Sequence, residues 1–197
     1  MRPGRRRTDF VVWHCSATPP SRDIGSADID LMHKARNWAG IGYHIVIKRS
    51  GAIQLGENLS HWGAHAAGYN AKSIGICLVG GVDEDGNAEN NFTEAQWVAA
   101  KNVFEFVVLL YPTADHVGHR DLSPDRDGDA RIDRWEFMKD CPCYSVQQWI
   151  ENDLEAVSDL YAPWEEDTSI EVPTGEITFE EVLDDDYDED DDDGLRE

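Results

Sequence analysis

Two of the seven histidines and one of the four cysteines stand where they could hold a metal ion. His14 lies inside the apolar run FVVWHCSA (residues 10–17), where an imidazole with neither partner nor metal would be costly to bury. His119 follows the strand-like stretch 115–117 and sits between Gly118 and Arg120. Cys141 precedes Pro142 and follows Lys139 by two residues, and a nearby cation favours thiolate over thiol. Two imidazoles and a thiolate suit zinc, and three protein donors leave the fourth tetrahedral corner to water, as a catalytic zinc requires. No short spacing signature joins the three, and a single strand histidine is more often structural than ligating. Cys15, beside His14, suggests a Cys–His nucleophile instead. Alternation along a strand puts the two on opposite faces, outside the hydrogen-bond reach that nucleophile and base need.

Such residues need a scaffold, and the patterning supplies one. Residues 10–17 read as a buried strand. A helix is predicted over 26–38, with Ser26 as its cap and Ile29, Met32, His33 and Arg36 at helical spacing. Residues 42–49 (GYHIVIKR) are rich in β-formers, and Ser50-Gly51 turns into 52–55, which predicts a hairpin. Residues 73–79 (SIGICLV) read as a further core strand. Thr93 to Gln96 form a capping box that opens a helix over 97–111, stopped by Pro112. A second box, Ser145 to Gln148, opens a last helix running to about Leu160. Strands mixed with helices over short loops predict one α/β domain with a central mixed β-sheet flanked by helices.

The chain's 197 residues suffice for one domain with a genuine core. Its net charge of −23 is unevenly spread. Residues 165–197 hold 17 acids and one base, a net of −16, which leaves −7 for residues 1–164. Stretches such as DDDYDEDDDD carry too few apolar side chains to offset the entropy of ordering, so 163–197 reads as a disordered acidic tail. An acidic chain is a poor partner for nucleic acid or for an anionic membrane surface. The apolar run near the N-terminus is too short for a signal-peptide core, and no stretch approaches a bilayer span. The four cysteines include no CxxC pair and do not resemble a secreted disulfide framework. Synthesis in a reducing cytoplasm, as a monomer, is expected.

Six segments in order carry a family resemblance: VWHCSAT (12–18), GYHIVIKRSG (42–51), HAAGYNAKSIGICLVGG (65–81), NFTEAQ (91–96), GHRDLSP (118–124) and KDCP (139–142). Spanning about 70% of the chain, they make it resemble the zinc-dependent N-acetylmuramoyl-L-alanine amidases, a type shared by phage endolysins and peptidoglycan recognition proteins. The resemblance implies zinc on His14, His119 and Cys141, the same three residues reached above. It also implies a catalytic Tyr43 and a catalytic Lys139. His44 is the nearest rival ligand, but in a strand it points away from Tyr43. Cys143 is the rival thiol, set aside by the family's K-x-C spacing. The implied reaction is hydrolysis of the amide between N-acetylmuramic acid and the first L-alanine of the stem peptide. In that reaction Lys139 would stabilise the oxyanion and Tyr43 would orient water or substrate.

The implied domain occupies residues 8–162, after a basic N-terminal segment (1–7). Trp62, His65 and Tyr69, in the loop HWGAHAAGYN, are candidate walls for peptidoglycan. The 21 residues between His119 and Cys141 exceed the interval in short phage relatives and contain an EF-hand-like stretch, 125–136. There Asp125, Asp127, Asp129, Arg131 (through its carbonyl), Asp133 and Glu136 fall at positions 1, 3, 5, 7, 9 and 12 of a calcium loop. The usual glycine at position 6 is Ala130, so calcium binding would require Ala130 in a left-handed conformation, at about 1–2 kcal/mol. A missing export signal fits an endolysin that reaches the cell wall after another protein opens the membrane. Two other functions compete. One is non-catalytic peptidoglycan binding. The other is regulation of a phage RNA polymerase, an activity known in one phage relative.

Overall fold

A computed structural model of the chain describes residues 2–157, so the predicted acidic tail lies outside the described residues. Within them, five strands form one mixed sheet: β1 (Phe10–Cys15), β2 (Ile45–Ile47), β3 (Ile53–Leu55), β4 (Ser73–Leu78) and β5 (Asp115–Gly118). Their order is β3-β2-β4-β1-β5. The β2–β3 pair is antiparallel and every other pair is parallel. The helices are α1 (Ser26–Lys34), α2 (Glu94–Leu110) and α3 (Val146–Glu151). The α/β architecture read from the patterning is the one observed.

β1 and β4 are buried along their whole length, as parallel strands covered on both faces should be. Val11 and Trp13 of β1 and Ile74, Ile76 and Leu78 of β4 pack with Trp97, Val103 and Val107 of α2 and with Trp149 of α3. On the opposite face, Val46 and Cys77 pack with Ile29 of α1. Strand alternation therefore turns His14 away from the large aromatic core and toward the α1 side.

Local chemistry explains where elements start and stop. The capping box of α2 forms as expected: Thr93 Oγ1 accepts from Gln96 N, and Gln96 Oε1 accepts from Thr93 N, both at 3.1 Å. The hairpin turns through Gly51, whose φ of +82° is open to a residue without Cβ. α1 is capped by Gly25 rather than Ser26, because the Asp28 carboxylate accepts from Gly25 N at 2.8 Å. It ends at Lys34, short of residue 38, and Asn37 then turns left-handed. α3 stops at Glu151 instead of continuing toward Leu160. Asp153 and Leu154 take positive φ, which returns Leu154 and Val157 to the aromatic core.

The basic N-terminal residues join this packed body. Arg5 donates to the carbonyls of Leu59, His61 and Ser73, and Arg2 to those of Gly40 and Ile41. Arg2 also pairs with Glu57 at 3.2 Å. Among the described residues no helix is long and apolar enough to cross a membrane.

Candidate metal centre

The parallel pairing of β1 with β5 sets Trp13 beside Gly118, so the next residue of each, His14 and His119, emerge together at the carboxyl ends of adjacent strands. Their ring centroids are 4.5 Å apart. Cys141 is held to the end of β1 and to the turn that follows β5: Cys15 N donates to its Sγ at 3.2 Å, and Arg120 N to its carbonyl at 2.8 Å. One donor atom from each of His14, His119 and Cys141 lies within 4.8 Å of the others. Cys141 Sγ is 3.7 Å from His14 Nδ1. A tetrahedral zinc with ordinary Zn–S and Zn–N lengths needs an S···N separation of about 3.6 Å. The donor set and its spacing fit zinc.

The electrostatics suit the same ion. Burial drives the His14 imidazole well below its ordinary pKa, and the charges of His119, His65 and Lys139 add to the shift. Burial also lowers His119 to about 4, with help from Lys139. Both rings are therefore neutral near pH 7, the protonation state that ligates metal. The Cys141 thiol departs from the expectation that Lys139 would favour its thiolate. Burial dominates and pushes it well up, so a stable thiolate there calls for a cation in the centre itself.

Tyr43 packs its ring 5.1 Å from that of His14, and burial pushes its phenol well above the usual range. It stays protonated and can donate. Behind it stands His33, which is buried, accepts from Gly42 N at 3.0 Å and lies 5.4 Å from the Tyr43 ring. This buttress was visible in the sequence only as a core position of α1. Lys139 is exposed beside the cluster, where its charge acts on both His14 and His119.

The rivals face elsewhere. His44 is fully buried and both its nitrogens meet backbone, Nδ1 accepting from Gly75 N at 2.9 Å and Nε2 lying 3.1 Å from His61 O. Cys143 Sγ donates to Gly81 O at 3.0 Å and lies 3.7 Å from Cys15 Sγ, and neither thiol is among the three clustered donors.

The three loop residues singled out as substrate walls have separate settings. Trp62 lines a pocket of about 190 Å³ with Arg2, Gly68 and Asn70. Tyr69 stacks edge-on against Phe10 at 5.4 Å. His65 is buried behind His14, with Nδ1 at 3.0 Å from His14 Nε2. Space for its ring exists because residue 75 is glycine: a Cβ there would sit 2.6 Å from His65 Cγ.

The long interval between His119 and Cys141 leaves and returns through a tied base. Ser123 Oγ accepts from Met138 N at 3.1 Å and donates to Arg120 O at 2.7 Å. Beyond the base, Ala130 takes φ +66°, the left-handed conformation a calcium loop would require of it. The Asp125 carboxylate accepts from Gly128 N and Ala130 N at 2.6 and 2.9 Å. Glu136, fully buried, accepts from Arg126 N and Asp133 N at 2.6 and 2.7 Å. Carboxylate oxygens of Asp125, Asp127 and Glu136 cluster within 4.8 Å, as do those of Asp127, Asp129 and Asp133.

Comparison with known proteins gives a consistent picture. Residues 4–143 match the family described as N-acetylmuramoyl-L-alanine amidase. An endolysin of Escherichia phage T7 is 36% identical over 155 residues, covering 79% of this chain and 93% of the relative. Among solved structures, the amidase LysC from Clostridium intestinale superposes with a TM-score of 0.58 at 25% identity, over 75% of this chain and 85% of that one. Drosophila peptidoglycan recognition protein LB superposes at 0.53 with 26% identity, over 72% and 76%.

Proposed function

The chain belongs to the N-acetylmuramoyl-L-alanine amidase family, and on that premise we propose that it is a zinc-dependent peptidoglycan hydrolase acting as a phage endolysin. Its scissile bond is the amide between N-acetylmuramic acid and the first L-alanine. The observation that carries this reading is the meeting of His14, His119 and Cys141 donors from three distant parts of the chain. Those three residues would hold the ion. When bound, zinc supplies Lewis acidity, polarising a carbonyl and making water nucleophilic near neutral pH.

The chain's own groups do the rest. The Lys139 ammonium, exposed beside the cluster, stabilises the negative charge that develops on the carbonyl oxygen. Tyr43, kept protonated by burial and braced by His33, orients the reacting groups through its hydroxyl. Trp62, at the edge of its pocket, and Tyr69 are assigned to the saccharide-peptide chain. As an endolysin, the enzyme would meet the cell wall after another protein opens the membrane.

Digestion of purified peptidoglycan tests the reading directly. The expected result is new L-alanine amino groups, with about one zinc per chain, the count for a single three-ligand site. A protein that sediments with the polymer but exposes no new amines would instead be a binding protein.

We also propose that residues 125–136 bind calcium through Asp125, Asp127, Asp129, Asp133, Glu136 and the Arg131 carbonyl. The left-handed Ala130 supports this, since an alanine pays that strain only where the turn demands it. Calcium at about 100-fold over Kd would add about 2.7 kcal/mol of stability, a Tm rise of roughly 5–10 °C for a domain of this size. Glu136→Gln should abolish the rise. An unchanged wild-type Tm in millimolar calcium would refute the site.

A further inference from the structure

A chain of hydrogen bonds behind His14 determines more than its position. The Ser73 hydroxyl donates its one hydrogen to Tyr69 O at 2.7 Å. Toward His65 Nε2, 3.3 Å away, Ser73 Oγ can therefore only accept, so Nε2 of His65 carries the ring hydrogen. His65 Nδ1 is then bare, and it lies 3.0 Å from His14 Nε2. The bond between them requires a hydrogen on His14 Nε2, which leaves His14 Nδ1 with an open lone pair, 3.7 Å from Cys141 Sγ. His65 is itself fixed: its backbone N–H and that of Ala66 donate to Asn70 Oδ1 at 2.8 and 3.0 Å, and its ring fills the space left by Gly75.

We infer that Ser73 and His65 form a tautomer relay, in which the Tyr69 carbonyl dictates through two side chains that His14 presents Nδ1 to the metal. Both are positioning residues, since neither is among the clustered donors and each acts through His14. A ligating histidine usually gives its second N–H to a carboxylate, a backbone carbonyl or water. Here the acceptor is a neutral imidazole. It sets the ring's orientation without adding negative charge beside the ion, and it does so before any ion arrives.

The inference rests on the zinc reading for its purpose, but its central claim concerns the metal-free protein. Nitrogen-15 NMR of the metal-free chain should find His14 protonated on Nε2 and bare on Nδ1. Zinc affinity, measured by competition with a chromophoric chelator, should fall 10–100-fold in His65→Ala, the usual loss when an outer partner of a ligating histidine is removed. His65→Asn, whose Oδ1 falls near the former Nδ1, should restore affinity to within a few-fold. Ser73→Ala should give a mixture of His14 tautomers. His14 protonated on Nδ1 in the metal-free wild type would overturn the relay. So would a folded His65→Ala chain that binds zinc as tightly as the wild type. If the wild type bound no zinc, the hydrolase reading would fail, while the NMR result would still decide the tautomer.

Discussion

Replacing His119 by alanine is expected to remove zinc and hydrolysis together. The change takes one donor from a three-donor set and leaves His14 and Cys141, too few to hold the ion against bulk chelation. The lost chemistry would be large, because a bound zinc would lower the pKa of water far enough to make it a nucleophile at neutral pH. Activity should drop by at least roughly 10³-fold, to the level of a metal-stripped wild type, out of the total acceleration typical of enzymes. Metal analysis should read near zero, and the Tm should no longer respond to zinc. The metal-free Tm should change little, since His119 lies at the sheet's open end rather than in the aromatic core. Substantial hydrolysis by this variant would refute the metal centre.

Lys139→Ala should separate binding from turnover. Lys139 is exposed and is not among the clustered donors, so zinc should remain at about one per chain. What would be lost is the positive charge proposed to stabilise the developing oxyanion. Removing one such stabiliser typically costs 10²–10³ in kcat, about 2.7–4 kcal/mol. The same variant should raise the affinity of His14 and His119 for protons, because the Lys139 charge currently lowers both. A kcat within a few-fold of wild type, with zinc retained, would move the oxyanion role to another residue.

Much of this site was legible in the amino-acid order, for identifiable reasons. His14 stands out because an imidazole inside FVVWHCSA has to be satisfied, and two-residue alternation already separates it from Cys15. The capping box at Thr93 and the turn at Gly51 are local chemistry, and local chemistry survives folding. His65 was less legible. HWGAHAAGYN has no period, so nothing in the order of its residues says which of Trp62, His65 and Tyr69 faces outward. The empty side of Gly75 and the Ser73 hydroxyl decide it, and both belong to another strand. The length of α3 was hidden likewise, because Leu154 and Val157 gain more by returning to the core than by extending the helix. Cys141 carried a misleading cue, since proximity of Lys139 in sequence does not outweigh the desolvation the fold imposes on the thiol.

The knot of contacts joining Arg120 and Ser123 to Met138 and Cys141 separates two quantities that sequence readers tend to equate. Doubling the length of an excursion that begins and ends at such a clasp adds only about 0.6 kcal/mol of closure entropy. Insertions and deletions can therefore accumulate between two members of the donor cluster without disturbing either. A wide gap in the chain is then no argument against partnership, and a surplus of residues there is room in which a new property can be acquired.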